Sequence, residues 1–238
     1  MAELNIDLHP AQLQIFNSKK RFKIVAAGRR FGKSYLSAWL LLINAIQSES
    51  KDVFYVGPTF QQAKDIMWGM LKDLGKDLIV AAHENTAVLT LINGRKIYLK
   101  GSDRPDTLRG VGLAYCVLDE YANMKPQVWE QIIRPTLSDV QGGALFIGTP
   151  AGKNHFFDLY NDAFEDDDWE AFQFTSIDNP FIPEKEIKAA SKTMSSMSFR
   201  QEFEASFESF SGGIFKEEWF KVDEEPEEGH YVIAIDPA

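Results

Sequence analysis

Phe22-Lys23-Ile24-Val25-Ala26-Ala27-Gly28-Arg29-Arg30-Phe31-Gly32-Lys33-Ser34-Tyr35-Leu36-Ser37-Ala38-Trp39-Leu40-Leu41-Leu42 is the stretch that decides the fold. Phe22–Ala26 is an apolar run of the length of a short buried strand, and Tyr35 opens a strongly apolar helix that extends to Gln47. Between them lies a turn, Ala27–Gly32, followed by Lys33-Ser34. Strand, glycine-bearing turn, Lys-Ser and helix form the context of a phosphate-binding loop. The unpaired N–H groups of the helix start face an anion, and the helix dipole adds about half a positive charge there. Lys33 reaches toward β- and γ-phosphates, and the Ser34 hydroxyl suits Mg²⁺. The strict pattern has glycine at position 27, where this chain has Ala27, but Gly28 supplies a loop glycine one place later. The competing reading is an ordinary strand-to-helix turn with a solvated lysine. The flanking elements favour the phosphate loop, so the candidate nucleotide-binding set is Ala27, Gly28, Arg29, Arg30, Phe31, Gly32, Lys33 and Ser34.

Upstream, Leu8–Phe16 reads as a short helix started by Pro10. Gln12 on it has an amide donor and acceptor that match an adenine edge. A surface glutamine on a helix fits that stretch equally well. Downstream, Asp52–Gly57 reads as a buried strand and Phe60–Leu74 as a helix. A hairpin follows, Ala87–Ile92 and Arg95–Lys100 around Asn93-Gly94, the preferred pair for a type I′ turn. Its outgoing strand is expected to hold Arg95, Lys96 and Lys100 together beside the tip, as solubilising charges or as contacts to DNA phosphates.

After a polar loop, residues 101–112, the run Leu113–Leu118 reads as a third strand ending in Asp119-Glu120. Such a strand delivers one carboxylate to a Mg²⁺ water shell and the next to a water attacking a γ-phosphate. An Asp-Glu pair after an apolar strand is common by itself and gains weight downstream of a phosphate loop. Gln127–Leu137 reads as helix. Gly143–Gly148 reads as a fourth strand, and Thr149 at its end is placed to sense a γ-phosphate. Trp169–Ser176 reads as a further strand. Short apolar runs alternating with helices predict an α/β fold with a parallel sheet covered on both faces, its site at the carboxyl ends of the strands.

From Asn179 the texture changes. Pro183 starts one helix and Phe199–Phe210 reads as a second, whose Phe199, Phe203, Phe207 and Phe210 recur at helical spacing as a packing stripe. Ser211-Gly212-Gly213 is a joint, Lys216–Glu228 an acidic linker, and Tyr231–Ala238 a strand carrying Asp236.

The 238 residues, with 45% apolar content and eighteen Phe, are enough for a packed core. The single cysteine, Cys116, excludes a disulfide framework and a multi-cysteine zinc site, and its apolar surroundings predict a buried, inert thiol. The N-terminus has no secretory pattern and the most apolar helix is shorter than a bilayer span, so the expectation is a soluble intracellular protein without a membrane partner. The net charge of −10 is unevenly spread. Residues 1–150 hold 18 Lys/Arg against 14 Asp/Glu, a balance of +4, and residues 151–238 hold 7 against 21, a balance of −14. Nucleic-acid binding is therefore expected only from a local basic patch on the first part.

The ordered set Leu8-His9-Pro10-Ala11-Gln12, Ala27–Ser34, Leu108-Arg109-Gly110, Val117–Glu120, Gly148-Thr149-Pro150 and Ile233–Pro237 resembles the large terminase subunit of tailed bacteriophages. The resemblance implies an ASCE-type P-loop ATPase core over residues 1–178 and a helical linker or lid over 179–213. Residues 214–238 would then hold the acidic linker and the first strand of an RNase H-like nuclease domain. It implies ATP hydrolysis coupled to pumping double-stranded DNA into a procapsid. The implied cofactors are ATP and Mg²⁺. The implied partners are the DNA, the portal protein, the small terminase subunit and further copies of the chain in a ring, a pentamer when packaging and a monomer in isolation. The implied location is the host cytoplasm, transiently on the procapsid portal.

By the same resemblance Gln12 reads adenine and Arg29 is the arginine of the phosphate loop. Ser34 and Asp119 hold Mg²⁺, Glu120 is the catalytic base, Thr149 the coupling residue, and Arg109, with Arg104 as the alternative, the finger a neighbouring subunit inserts. Asp236 matches one nuclease ligand; its partner carboxylates would lie beyond residue 238, so no DNA cleavage is expected of this chain. A two-lobed helicase, a small-molecule P-loop kinase and a nucleotide-gated scaffold are the competing readings.

Overall fold

Eight strands, interleaved with helices, build one sheet in the computed structural model, which describes residues 5–208. The strands are β1 (Phe22–Ala27), β2 (Asp52–Gly57), β3 (Ile79–His83), β4 (Val88–Leu91), β5 (Lys96–Gly101), β6 (Leu113–Asp119), β7 (Gly143–Gly148) and β8 (Trp169–Phe174). Their order across the sheet is β3-β4-β5-β2-β6-β7-β1-β8. The six from β5 to β8 are mutually parallel, and β4 and β3 continue the sheet antiparallel at one edge. The helices are α1 (Pro10–Asn17), α2 (Lys33–Gln47), α3 (Phe60–Leu74), α4 (Arg134–Thr136), α5 (His155–Asp162), α6 (Glu184–Thr193) and α7 (Ser196–Phe203).

The central strands read as continuous apolar runs because both of their faces are covered. Val25, Tyr55, Val117 and Ile147 pack under α1, α2 and α3. The alternate residues Ile24, Phe54, Leu118 and Phe146 meet Trp129, Ile133, Phe156 and Phe207 on the other side. The Cys116 thiol lies in the second layer, and burial pushes its pKa up, which keeps it protonated and inert.

Several elements differ from the reading of the sequence. Strand β3 was not expected. It is mostly exposed and is held by pairing with β4 rather than by an apolar pattern of its own. Helix α5 was also not expected. The Asn93-Gly94 turn is not type I′, because only Gly94 has a positive φ, +80°. The Gly94 N–H donates to the Leu91 carbonyl at 2.8 Å, closing a three-residue Ile92-Asn93-Gly94 loop. The Asn93 amide instead donates to the Ala45 and Ile46 carbonyls at the end of α2, which have no partner within the helix. The segment Gln127–Leu137 is helical, as a π turn, Val128–Ile133, running into α4, where Pro135 has no N–H to donate.

The second predicted helix of the tail starts earlier and ends at Phe203. Ala205, at φ +53°, turns the chain, so Phe207 leaves the helical stripe and packs on Phe156, Phe157 and Tyr160 at 5.1–5.6 Å. Phe210, the glycine joint, the acidic linker and the Asp236 strand lie outside the described residues.

Lys23 is an exception within β1: its side chain is 6% exposed and shares the face of Val25. Burial lowers its pKa from the ordinary 10.5 to about 8, with Glu170 acting weakly in the opposite sense. Between these values the unfolded chain binds the proton that the native chain does not, so this group makes stability rise as pH increases from about 8 to about 10.5. Lys23→Met should remove that slope and stabilise the protein near neutral pH by roughly 1–3 kcal/mol. Urea unfolding at pH 7 and pH 9.5 checks this; parallel pH profiles for the two proteins would contradict it.

Candidate active site

The carboxyl ends of the parallel strands meet at one edge of the sheet, and the sequence motifs converge there. Ala27 ends β1, and Gly28–Gly32 forms the turn into α2. Gly32 caps α2 with φ +96°, and a side chain at this position would also collide with the Gln12 amide. Lys33 folds back over the loop, its ammonium donating to the carbonyls of Ala27 (2.8 Å) and Gly28 (3.1 Å) and to the Thr149 hydroxyl (2.9 Å). Burial lowers the Lys33 pKa, opposed by the charges of Glu120 and Asp119. The ammonium therefore stands inside the loop, where it faces an incoming anion.

Strand β6 supplies the acidic pair. Asp119 is 3% exposed and accepts a hydrogen bond from the Tyr55 hydroxyl on β2 and one from the Glu120 N–H at 3.0 Å. Burial raises its pKa, while the Tyr55 hydroxyl and the Lys33 charge act the other way. Glu120 occupies the left-handed region at φ +53°, an uncommon conformation for a side chain other than glycine and one often kept at functional sites. Burial, then the Asp119 charge, raises the Glu120 pKa; the Lys33 charge and an N–H of the Thr149 backbone partly offset both. Strand β7 lies between β6 and β1, so Thr149 at its end bonds Lys33 through its side chain and lines the cavity it shares with Glu120. A cavity of about 530 Å³ opens over these groups, lined by Arg29, Arg30, Lys33, Glu120, Thr149 and Glu202 among others.

Gln12 is buried, not a surface residue. Its amide nitrogen donates to the Gly32 carbonyl at 2.9 Å and its oxygen accepts from the His9 N–H at 3.2 Å. The His9 ring in turn bonds the Phe31 carbonyl at 2.9 Å. One amide hydrogen and one oxygen lone pair of Gln12 remain available by geometry.

The basic candidates spread out. Arg109 and Arg104 do not line the cavity over Lys33. Arg109 is half exposed beside Asp106 at 3.6 Å, and Arg104 lines a separate pocket with Lys100 and Thr107. The expected grouping of Arg95, Lys96 and Lys100 beside the hairpin tip does not form. Arg95 and Lys96 stand at the amino end of β5, with the Arg95 side chain donating to the Ser50 carbonyl. Lys100 lies roughly 13 Å further along the strand. It is partly desolvated and stacked near the Tyr98 and Phe54 rings at 5.6 and 5.7 Å.

The sequence reading missed the residues that anchor the loop from the segment after β8. The Ser176 hydroxyl donates to the Arg29 carbonyl and the Asn179 amide to the Arg30 carbonyl, both at 2.7 Å. The Arg29 N–H bonds the Glu202 carbonyl on α7 at 2.7 Å, and its guanidinium pairs with the Glu202 carboxylate, which raises the Arg29 pKa. Tyr55 was missed as well. These residue types carry no motif, and only a polar residue within an apolar run, Tyr55, left any signal.

A parallel sheet with an extra strand between the phosphate-loop strand and the acidic strand, and with Lys33, Asp119, Glu120 and Thr149 gathered at one edge, defines an ASCE-type P-loop nucleotide hydrolase fold. The family described as "Terminase large subunit, T4likevirus-type, N-terminal" matches residues 24–222, and the chain belongs to this family. The large terminase subunit of Escherichia phage T5 is 30% identical over 226 residues, covering 90% of this chain and 51% of that protein. That of Thermus phage G20c is 26% identical, covering 87% and 50%. The chain thus spans about half the length of the curated relatives it matches.

Among solved structures, the large terminase ATPase domain of Thermus phage P74-26 superposes with a TM-score of 0.74 at 25% identity, covering 84% of this chain and 94% of that one. The large terminase of a thermophilic bacteriophage, solved in complex with ADP, shares the fold with a TM-score of 0.73 at 20% identity, covering 85% of this chain and 54% of that one. The described residues share the family and fold of the terminase ATPase domain, which favours that reading over the helicase and kinase readings. No helix among the described residues is long and apolar enough to cross a membrane.

The two loop positions separate cleanly. A Cβ at Gly28 would lie 2.5 Å from the Phe203 carbonyl and 2.7 Å from the Ser176 hydroxyl. Gly28→Ala should therefore push α7 away from the loop, cost roughly 1–3 kcal/mol and weaken triphosphate binding. Ala27→Gly removes one methyl at the end of β1 and should cost about 1 kcal/mol while retaining binding. Thermal unfolding and nucleotide titration of both variants check the contrast; equal behaviour would show that the close approach at Gly28 does not control the loop.

Proposed function

We propose that this chain is the ATP-hydrolysing part of a DNA-packaging motor, converting ATP hydrolysis into movement of double-stranded DNA into a procapsid. The observation that carries this is the place of Thr149: one residue at the end of β7 bonds the phosphate-loop lysine and lines the same cavity as Glu120. In this reading the backbone of Gly28–Ser34 and the Arg30 side chain cradle the triphosphate. Lys33 exchanges its loop carbonyls for phosphate oxygens, and Arg29 leaves Glu202 to meet developing charge.

The donor set fits Mg²⁺, which takes one or two carboxylates plus substrate phosphates. The buried Asp119 keeps unshared lone pairs on both oxygens, and Ser34 stands in the first turn of α2. When bound, Mg²⁺ supplies neutralising charge between the phosphates. Glu120, held by its left-handed backbone and its N–H bond to Asp119, orients the attacking water and takes its proton. Tyr55 positions Asp119. Gln12 uses its spare donor and acceptor on adenine.

Residues 179–213, with α6 and α7, act as the linker or lid of the core 1–178, and 214–238 hold the acidic linker and the start of the nuclease domain to which Asp236 belongs. Arg109 serves a neighbouring subunit's site, with Arg104 the alternative. The assembled state is a ring, a pentamer on the portal protein in the host cytoplasm, fed by the small terminase subunit. In dilute solution the chain is a monomer. Arg95 and Lys96 are the better candidates for DNA phosphates, since Lys100 is partly desolvated.

Glu120→Gln should retain nucleotide affinity and lose at least about 100-fold in turnover, because the amide cannot accept the proton. Phosphate release with and without DNA measures it; equal loss of binding and turnover would make Glu120 structural. Specific activity should rise with protein concentration, and Arg109→Ala should flatten that rise. Mixing Arg109→Ala with Glu120→Gln should restore part of it, since each variant supplies what the other lacks. No recovery on mixing would remove Arg109 from the finger role.

A further inference from the structure

Phe181 is 74% exposed, the most exposed of the large apolar side chains among the described residues. A ring in water contributes nothing to the core, yet the backbone that carries it is held. The Phe181 N–H donates to the Asn179 side-chain oxygen at 2.9 Å, and the Asn179 amide nitrogen donates to the Arg30 carbonyl of the phosphate loop at 2.7 Å. Phe181 is thereby tied to the loop through a single intervening side chain.

Cavities follow the loop. The space of about 530 Å³ over Arg29, Lys33 and Glu120 shares Arg30 and Lys33 with a second, of about 320 Å³, along Gly32, Ser34 and Tyr35. That one shares Gly32 and Tyr35 with a third, of about 270 Å³, lined also by Gln12, Asn179 and Phe181. The first is edged by charged and polar loop groups, as phosphates require, and the second passes from Lys33 and Ser34 to the apolar Phe31, Tyr35 and Met70. The third combines two aromatic rings with the unshared donor and acceptor of Gln12, as a flat heteroaromatic base requires.

We infer that Phe181, together with Tyr35, forms the stacking platform for the nucleotide base. Base recognition then depends on the segment after β8 and not on the core alone. The inference rests on the reading of this cleft as an ATP site and adds to it the residue that holds the base. Because the same segment carries Ser176 and Asn179 on the loop carbonyls, base binding and loop geometry share one support.

The test is equilibrium competition against a ribose-labelled fluorescent ATP analogue, with ATP and inorganic tripolyphosphate as competitors. Phe181→Ala should weaken ATP by about 5- to 100-fold, the range of one base–aromatic stack, and leave tripolyphosphate competition unchanged. Phe181→Trp should restore ATP affinity. The exposed position predicts an unchanged melting temperature for both variants, and circular dichroism controls for that. Unchanged ATP affinity in Phe181→Ala would overturn the proposal, as would an equal loss for ATP and tripolyphosphate, which would place the effect in the loop. Failure of both competitors against the wild-type chain would instead refute the ATP-site reading itself.

Discussion

The ammonium of Lys33, drawn back onto the Ala27 and Gly28 carbonyls and the Thr149 hydroxyl, is the contact on which the rest of the site depends. A buried cation needs partners, and here the loop's own backbone provides them. The consequence is a loop that is ordered around its charge before any anion arrives. Each of the three contacts is one that phosphate oxygens can replace, so binding exchanges partners and does not leave a charge uncompensated. Glu120 and Asp119 lie on the same edge, and their charges oppose the burial that lowers the lysine pKa.

That arrangement needs three strands in one order. With β7 between β1 and β6, Thr149 stands between the loop and the acidic pair, bonded to Lys33 and lining the same cavity as Glu120. Were β6 directly beside β1, no side chain from a third strand end would stand between lysine and carboxylate. The parallel direction of all three strands brings Ala27, Asp119 and Gly148 to the same edge. Tyr55, one strand further along, completes the set by fixing Asp119 from within the core.

A second support comes from outside the core. Ser176, Asn179 and the main chain of Glu202 and Phe203 lie against the backbone of Gly28–Arg30. The loop is thus clamped from two sides, by Gln12 and His9 below Gly32 and by the segment after β8. The Arg29–Glu202 pair is largely exposed on the arginine side, so it contributes little stability and exchanges easily. The strong elements of the clamp are the neutral hydrogen bonds to carbonyls, which an anion in the cleft does not compete for.

The sequence by itself determined the strand-turn-helix around Lys33, the acidic strand end at Asp119-Glu120, Thr149 after a fourth apolar run, and hence the α/β class. These features are local: an apolar run of fixed length, a glycine where a turn must form, and charged residues where a strand ends. What only the tertiary structure decided was pairing and support. Strand β3 exists because β4 offers it an edge, and the Asn93-Gly94 loop changed type because Asn93 found the end of α2. The phenylalanine stripe broke at Ala205 because Phe207 gained the aromatic cluster on α5. Gln12 fits a surface residue as well as a site residue in sequence, and only its burial against Gly32 removes the surface reading. Tyr55, Ser176, Asn179 and Phe181 carry no motif, since a hydroxyl, an amide or an exposed ring acquires a role only from the groups that the fold sets beside it.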